Sequence, residues 1–148
     1  MATKKVTTEK GEKLTLKATG GGKYFPGLGR RKTAVARVRF YPDKGTEIVV
    51  NGLDYKVYFP VLRFQKMAEA PLKKSAVKGG VEVRVSGGGV MAQSEAITLG
   101  LARALVKFNP DFKNEFRTLG YLTRDSRMVE RKKYGLKKAR RAPQWRKR

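Results

Sequence analysis

Val77–Pro110 reads VKGGVEVRVSGGGVMAQSEAITLGLARALVKFNP. Val81, Val83 and Val85 alternate with Glu82, Arg84 and Ser86. That period of two sends one set to a buried face and the other to an exposed one, so Val77–Ser86 is a strand. Three glycines, Gly87–Gly89, follow. Beyond them Ile97, Leu101, Leu105 and Phe108 recur at helical spacing, which predicts a helix from about Gln93 to Phe108 with Ser94 as N-cap and Asn109-Pro110 as stop. Gly100 and Ala104 are small and one turn apart on that helix, which suits close packing by another element. A strand, a glycine turn and a long helix in succession put the chain among folds that mix α and β.

The strand–glycine–helix junction invites comparison with phosphate-binding loops. No Gly-Lys-Ser/Thr closes it, and the G-x-G-x-x-G spacing with a following ribose-binding acid is missing, so a nucleotide site is not expected. A backbone phosphate of RNA, or no ligand, fits Gly87–Gly89 better.

Upstream, Gly29–Tyr41 reads GRRKTAVARVRFY. Ala34, Ala36, Val38 and Phe40 share one face, and Val35, Arg37, Arg39 and Tyr41 the other. This is a half-buried strand carrying arginines outward, entered through Arg30, Arg31 and Lys32. Pro42–Gly45 is a turn, and Thr46–Val50 a second strand with Ile48 and Val50 inward, expected to pair with the first as an antiparallel hairpin. Asn51-Gly52 is a further turn. Tyr55–Phe59 reads as a short extended piece. Pro60 then opens a helix bearing Val61, Phe64, Met67 and Ala68, which Pro71 stops. Downstream, Asn109-Pro110-Asp111 caps a short helix with Phe112, Phe116 and Leu119 on one face, ended by Gly120. Thr123 or Asp125 is placed to cap a helical turn around Ser126–Lys133.

Composition divides the rest. The chain of 148 residues holds 35 Lys and Arg against 12 Asp and Glu, a formal charge of +23. Met1–Lys32 has nine basic and two acidic residues, Thr33–Leu119 fourteen and eight, Gly120–Arg148 twelve and two. An N-terminal flexible basic arm (1–28), a globular domain (29–119) and an extended basic tail (120–148) are therefore expected. The arm is rich in Thr, Lys and Gly, with Gly20–Gly22 as a break and Tyr24–Gly27 able to pin it to the body or a partner. The tail cannot bury enough apolar surface to offset its ordering entropy, about 1–2 kcal/mol of backbone per residue. Composition allows a solvated tail or a nucleic-acid-binding extension. The arginine content and the interleaved Tyr134 and Trp145 favour the second, since each neutralised phosphate releases counterions and each ring offers a stacking face. Pro143 bars a helix near the end, and twelve extended residues reach roughly 40 Å.

Cysteine and histidine are both missing. That removes disulfides, zinc-finger spacings, a thiol nucleophile and the commonest general base, and no cofactor is implied. No run of about twenty apolar residues is present, so no membrane partner is expected. No apolar secretory segment opens the chain, and the early lysines with Glu9 and Glu12 do not suit a transit peptide. The carboxylates Asp43, Glu47, Asp54, Glu69, Glu82, Glu95, Asp111 and Glu115 are scattered and unpaired in motif, which argues against an enzyme acting on RNA. A free nucleic-acid chaperone or DNA-compacting protein would share the basic arms.

Several of these stretches together resemble the ninth small-subunit ribosomal protein family in its bacterial form: GRRKTAVARV at Gly29–Val38, Asn51-Gly52, Gly87–Gly89, GLARALVKFNP at Gly100–Pro110 and LGYLTRDSRMVERKKYGLKKARRAPQ at Leu119–Gln144. The resemblance spans about four-fifths of the chain. It implies an α/β (α+β) two-layer domain like the second domain of the fifth small-subunit ribosomal protein, with a left-handed β-α-β crossover where ordinary topology rules expect a right-handed one. It implies a cytoplasmic, bacterial-type ribosome rather than an organelle, and a place in the small-subunit head among neighbouring proteins. Ribosomal RNA would be met by Arg30, Arg31, Lys32, Arg37, Arg39, Arg124, Arg127, Arg131, Lys132, Lys133, Lys137, Lys138, Arg140 and Arg141. The tail tip, Trp145, Arg146, Lys147 and Arg148, would reach the anticodon stem-loop of the P-site tRNA. Glu95 departs from the family pattern: its charge suits the helix dipole and disfavours a phosphate beside it.

Overall fold

The structure, a computed structural model, describes residues 23–146. Five strands, β1 (Phe25–Arg31), β2 (Ala34–Tyr41), β3 (Ile48–Val50), β4 (Leu53–Asp54) and β5 (Gly80–Ser86), form one sheet in the order β1-β2-β5-β3-β4. Neighbours are antiparallel except β3 and β5, which run parallel. The described residues also hold four helices: α1 (Tyr55–Tyr58), α2 (Leu62–Ser75), α3 (Val90–Phe108) and α4 (Phe112–Thr118).

The alternation in β2 and β5 is met in full. Ala34, Ala36, Val38, Phe40, Val81, Val83 and Val85 are buried with Ile97, Leu101, Leu105 and Phe116 in a single core. Phe108, at the end of α3, sets its ring edge-on to both Phe25 and Phe40.

The expected hairpin of β2 with β3 does not form. β2 pairs instead with β1 on one side and β5 on the other, and β3 lies beyond β5. The extra strand comes from the expected arm. Residues 1–22 of that arm lie outside the described residues, but Phe25–Leu28 are strand. In β1, Gly27 and Gly29 alternate with outward Pro26, Leu28 and Arg30. A Cβ on Gly27 would stand 2.0 Å from the Gly100 carbonyl oxygen, and one on Gly29 1.8 Å from that of Ala96. The small residues on α3 thus receive the glycines of β1, backbone against backbone. The glycine loop has a similar origin. Gly87 and Gly88 have φ of +73° and +65° and lie against Thr33 and Ala34, where side chains would collide.

Four local expectations change. Pro71 does not stop α2 but sits inside it. Its ring removes the N–H that would bond the Met67 carbonyl, and the Thr98 hydroxyl of α3 donates to that oxygen at 2.7 Å instead. Ser94 is not the cap of α3, which begins at Val90 after Gly89; its buried hydroxyl donates to the Met91 carbonyl at 2.8 Å. Tyr55–Tyr58 is a helical turn, not an extended piece, because the Asp54 carboxylate accepts from the Lys56 amide at 2.9 Å. Ser126–Lys133 is not helical: Asp125 turns back to accept from the Arg127 amide at 2.8 Å, and no apolar stripe draws the following residues onto the body. The Asn51-Gly52 turn does form, with both φ positive. The Asn51 side chain exchanges two hydrogen bonds with Val85, of 2.9 and 3.0 Å, and so extends the β3–β5 ladder.

Candidate nucleic-acid interface

The helical layer packs on α3's side of the sheet, and among the described residues no helix or strand covers the outward residues of β1, β2 and β5, which form an open face. The register writes rows across it. Leu28 stands opposite Arg37, and Arg37 opposite Arg84. Pro26, Arg39 and Glu82 make the next row, and Arg30, Val35 and Ser86 the one on the other side. Arg37 and Arg84 are both exposed. Like charges directly opposite on antiparallel strands destabilise the pair by about 0.2–1 kcal/mol. A sheet that keeps them is suited to a polyanion that crosses the two strands. Arg84 was not among the residues expected at an RNA contact; the alternation of Val81–Ser86 put it outward, but only the β2–β5 register sets it beside Arg37.

Around this row the aromatic residues are ordered by cations. Arg39 lies 5.2 Å from the centroid of the Tyr24 ring and 3.7 Å from the Glu82 carboxylate, and Tyr24 and Tyr41 are 5.8 Å apart. Tyr41 donates to Glu82 at 3.3 Å, and burial, then Glu82, raises its pKa. Glu82 also lies 3.6 Å from Arg84. These pairs are partly exposed, a kind typically worth about 0–1 kcal/mol, and can yield to phosphate at little cost.

Arg31 has another place. It is 9% exposed and ion-paired with Glu95 of α3 and with Asp125 at 3.0 Å. It also donates to the backbone carbonyls of Asp125 and Arg127, at 3.3 and 2.8 Å. One guanidinium thereby joins β1, α3 and the root of the tail. Arg31 is itself nearly buried, so losing either carboxylate would leave its charge poorly compensated, and these contacts fix where the tail leaves the body. Asp125 also binds Arg127 in a fork at 2.7 and 3.0 Å. Arg127 first, then Arg31, holds its carboxyl well below the usual range. Glu95, which the sequence set against a nearby phosphate, is occupied by Arg31.

Lys32 occupies the β1–β2 turn with φ +49°, exposed. Beyond Thr118 the described chain has turns and bends but neither helix nor strand. Arg124, Arg131, Lys132, Lys137, Lys138 and Arg141 are exposed. Arg140 forks onto Glu130 at 2.5 and 3.0 Å, Lys133 lies 3.8 Å from the same carboxylate, and the Lys137 amide donates to the Arg141 carbonyl at 2.7 Å. Tyr134 and Trp145 are 100% and 92% exposed, rings with no apolar cover. Arg146 is exposed too, while Lys147 and Arg148 lie outside the described residues. The body thus brings Arg30, Arg37, Arg39 and Arg84 together on the sheet, and the tail, expected to be extended, carries its cations on turns and bends that loop back where Arg140 meets Glu130.

Among the described residues no helix is long and apolar enough to cross a membrane, and no cluster of acidic side chains could hold a metal ion.

Residues 29–148 match the family model described as ribosomal protein S9/S16. The chain is 55% identical over 123 residues to the small ribosomal subunit protein uS9 of Cytophaga hutchinsonii, covering 82% of this chain and 95% of the relative. It is 51% identical over 126 residues to uS9 of Thermus thermophilus, covering 84% and 98%.

Proposed function

The chain belongs to the ribosomal protein S9/S16 family, and from that premise we propose how its surfaces work in the small ribosomal subunit. It is a structural protein of that subunit, not an enzyme. The open sheet face and the tail bind ribosomal RNA. Arg30, Arg37, Arg39 and Arg84 meet phosphates across the strands, with Lys32 at their edge. Arg124, Arg127, Arg131, Lys132, Lys133, Lys137, Lys138, Arg140 and Arg141 follow the backbone of RNA that the tail threads. Arg31 acts behind them by setting the direction in which the tail leaves. The tail tip, Trp145–Arg148, reaches the anticodon stem-loop of the P-site tRNA, and head proteins of the bacterial cytoplasmic ribosome are its neighbours. The parallel β3–β5 pair, joined through α1 and α2, is the unit we assign the family's left-handed crossover.

The observation that carries this reading is the Arg37–Arg84 pair, two like charges held side by side and exposed among the described residues. Contacts from arginine and lysine to phosphate fix register and carry no base sequence, so shape directs the recognition. The test of the tRNA contact is P-site tRNA binding to small subunits whose copy lacks Trp145–Arg148, across a salt series. Weaker binding with a shallower salt slope, in subunits that assemble, is expected. Unchanged binding refutes the tRNA contact and leaves the tail to rRNA alone.

A further inference from the structure

A cleft of about 670 Å³ opens where the edge of β1 meets α2, α3 and the root of the tail. Met67 and Ala70 of α2 and Leu99 of α3 form an apolar floor, and Tyr121 adds a half-buried ring. Arg30, Arg63 and Lys66 line it as exposed cations. The two carboxylates present, Glu95 and Asp125, are both paired with Arg31. This volume lies within the range of small-molecule sites, about 300–1,000 Å³. Apolar walls with a ring beneath a rim of cations suit a planar base that carries phosphate.

We propose that this cleft receives one nucleotide of single-stranded RNA, its base turned in against Met67, Leu99 and Tyr121 and its flanking phosphates on Arg30, Arg63 and Lys66. Arg30 supplies the continuity. It stands on the open sheet face in the row of Val35 and Ser86, and it also lines the cleft. An RNA strand that crosses the sheet can pass over the β1 edge and place a base there. Unstacked bases are the usual targets of RNA recognition by aromatic and apolar side chains. The net charge of +23 favours this occupant over a peptide. The site rests on the proposed rRNA binding and adds to it a place for one base.

The test uses the full chain, with methyl resonances of Met67 and Leu99 followed by NMR. Adenosine 5′-monophosphate is titrated beside ribose 5-phosphate, which carries the same phosphate and no base. The nucleotide should move both methyl groups saturably and bind at least about tenfold tighter than the sugar phosphate, as stacking implies. Lys66→Gln should weaken it severalfold, while Lys78→Gln, exposed in the loop before β5 and outside the cleft, should leave it unchanged. Methyl groups that stay still, or move equally with ribose 5-phosphate, overturn the base site. If an rRNA head fragment still binds the same sample, the cleft alone fails and the rRNA reading stands. In assembled subunits, a photo-crosslinker at Ala70 should label rRNA; labelling a neighbouring protein instead also overturns the proposal.

Discussion

Arg37→Gln should move two quantities in opposite directions. Arg37 stands opposite Arg84 on β5 and Leu28 on β1, and no carboxylate lies in its own row. Removing its charge relieves a cross-strand repulsion of about 0.2–1 kcal/mol. For a body of this size that raises Tm by about 1–4 °C. The gain should fade above 0.5 M salt, where the screening length falls to a few ångströms. RNA binding should suffer in the same variant. One lost phosphate contact removes about 0.7–0.9 from the slope of log affinity against log salt. At 0.1 M salt that is about a five- to eightfold loss. Thermal melts at low and high salt, with fluorescence anisotropy on an rRNA head fragment, read both. Arg84→Gln should match the RNA loss with a smaller gain in Tm, since it also gives up the Glu82 contact at 3.6 Å. A variant that melts lower than the parent and binds RNA with unchanged affinity and slope would show that Arg37 neither repels Arg84 nor meets phosphate.

Gly29→Ala forces a methyl group to within 1.8 Å of the Ala96 carbonyl oxygen, where only backbone can move. Calorimetry should show a loss at or above the upper end of the usual 1–3 kcal/mol for overpacking, while Gly45→Ala, with open space around it, should change little. Thr98→Val leaves the Met67 carbonyl beside Pro71 without its donor and should cost about 1–3 kcal/mol in a denaturant melt. Asp125 has a folded pKa below its unfolded value of about 3.9, so its hold on the tail root is present above that value and lost as pH falls below it; its carboxyl carbon should titrate by NMR at lower pH than an ordinary aspartate. Burial, then Glu69, pushes the Tyr55 hydroxyl up to about 12. Its contribution is present below about pH 10 and lost as pH rises toward 12, and in an ultraviolet titration Tyr55 should ionise above the ordinary tyrosine value of about 10.

What the sequence disclosed follows from where its patterns came from. β2, β5 and α3 carry apolar residues at fixed periods, so their buried faces could be read directly. β1 was missed as a strand because two of its inward residues, Gly27 and Gly29, are glycines, required by the backbone of α3 and not by any property of the strand itself. The small pair Gly100 and Ala104 announced that something would approach, without saying what. The β2–β3 hairpin failed because β5, thirty residues later in sequence, takes the place between them. Pro71 was a helix stop only as long as no neighbour supplied a donor to Met67. At the interface, the outward arginines of β2 were legible from alternation. The partnership of Arg37 with Arg84 needed the sheet register. The role of Arg31 needed Glu95 and Asp125, 64 and 94 residues away. Basic composition raised the expectation of a polyanion partner for the tail, but only the Arg31 contacts show that its root is anchored.

If the open face of the sheet lies against ribosomal RNA, a cleaving probe set on that face will cut it. The chain has no cysteine, so Ser86→Cys, exposed beside Arg84 and opposite Val35, gives a unique attachment point for an iron chelate that cleaves nearby RNA with hydroxyl radicals. In assembled small subunits strong cleavage confined to a few segments of head rRNA is expected. Assembled subunits with no cleavage from position 86 would contradict that contact.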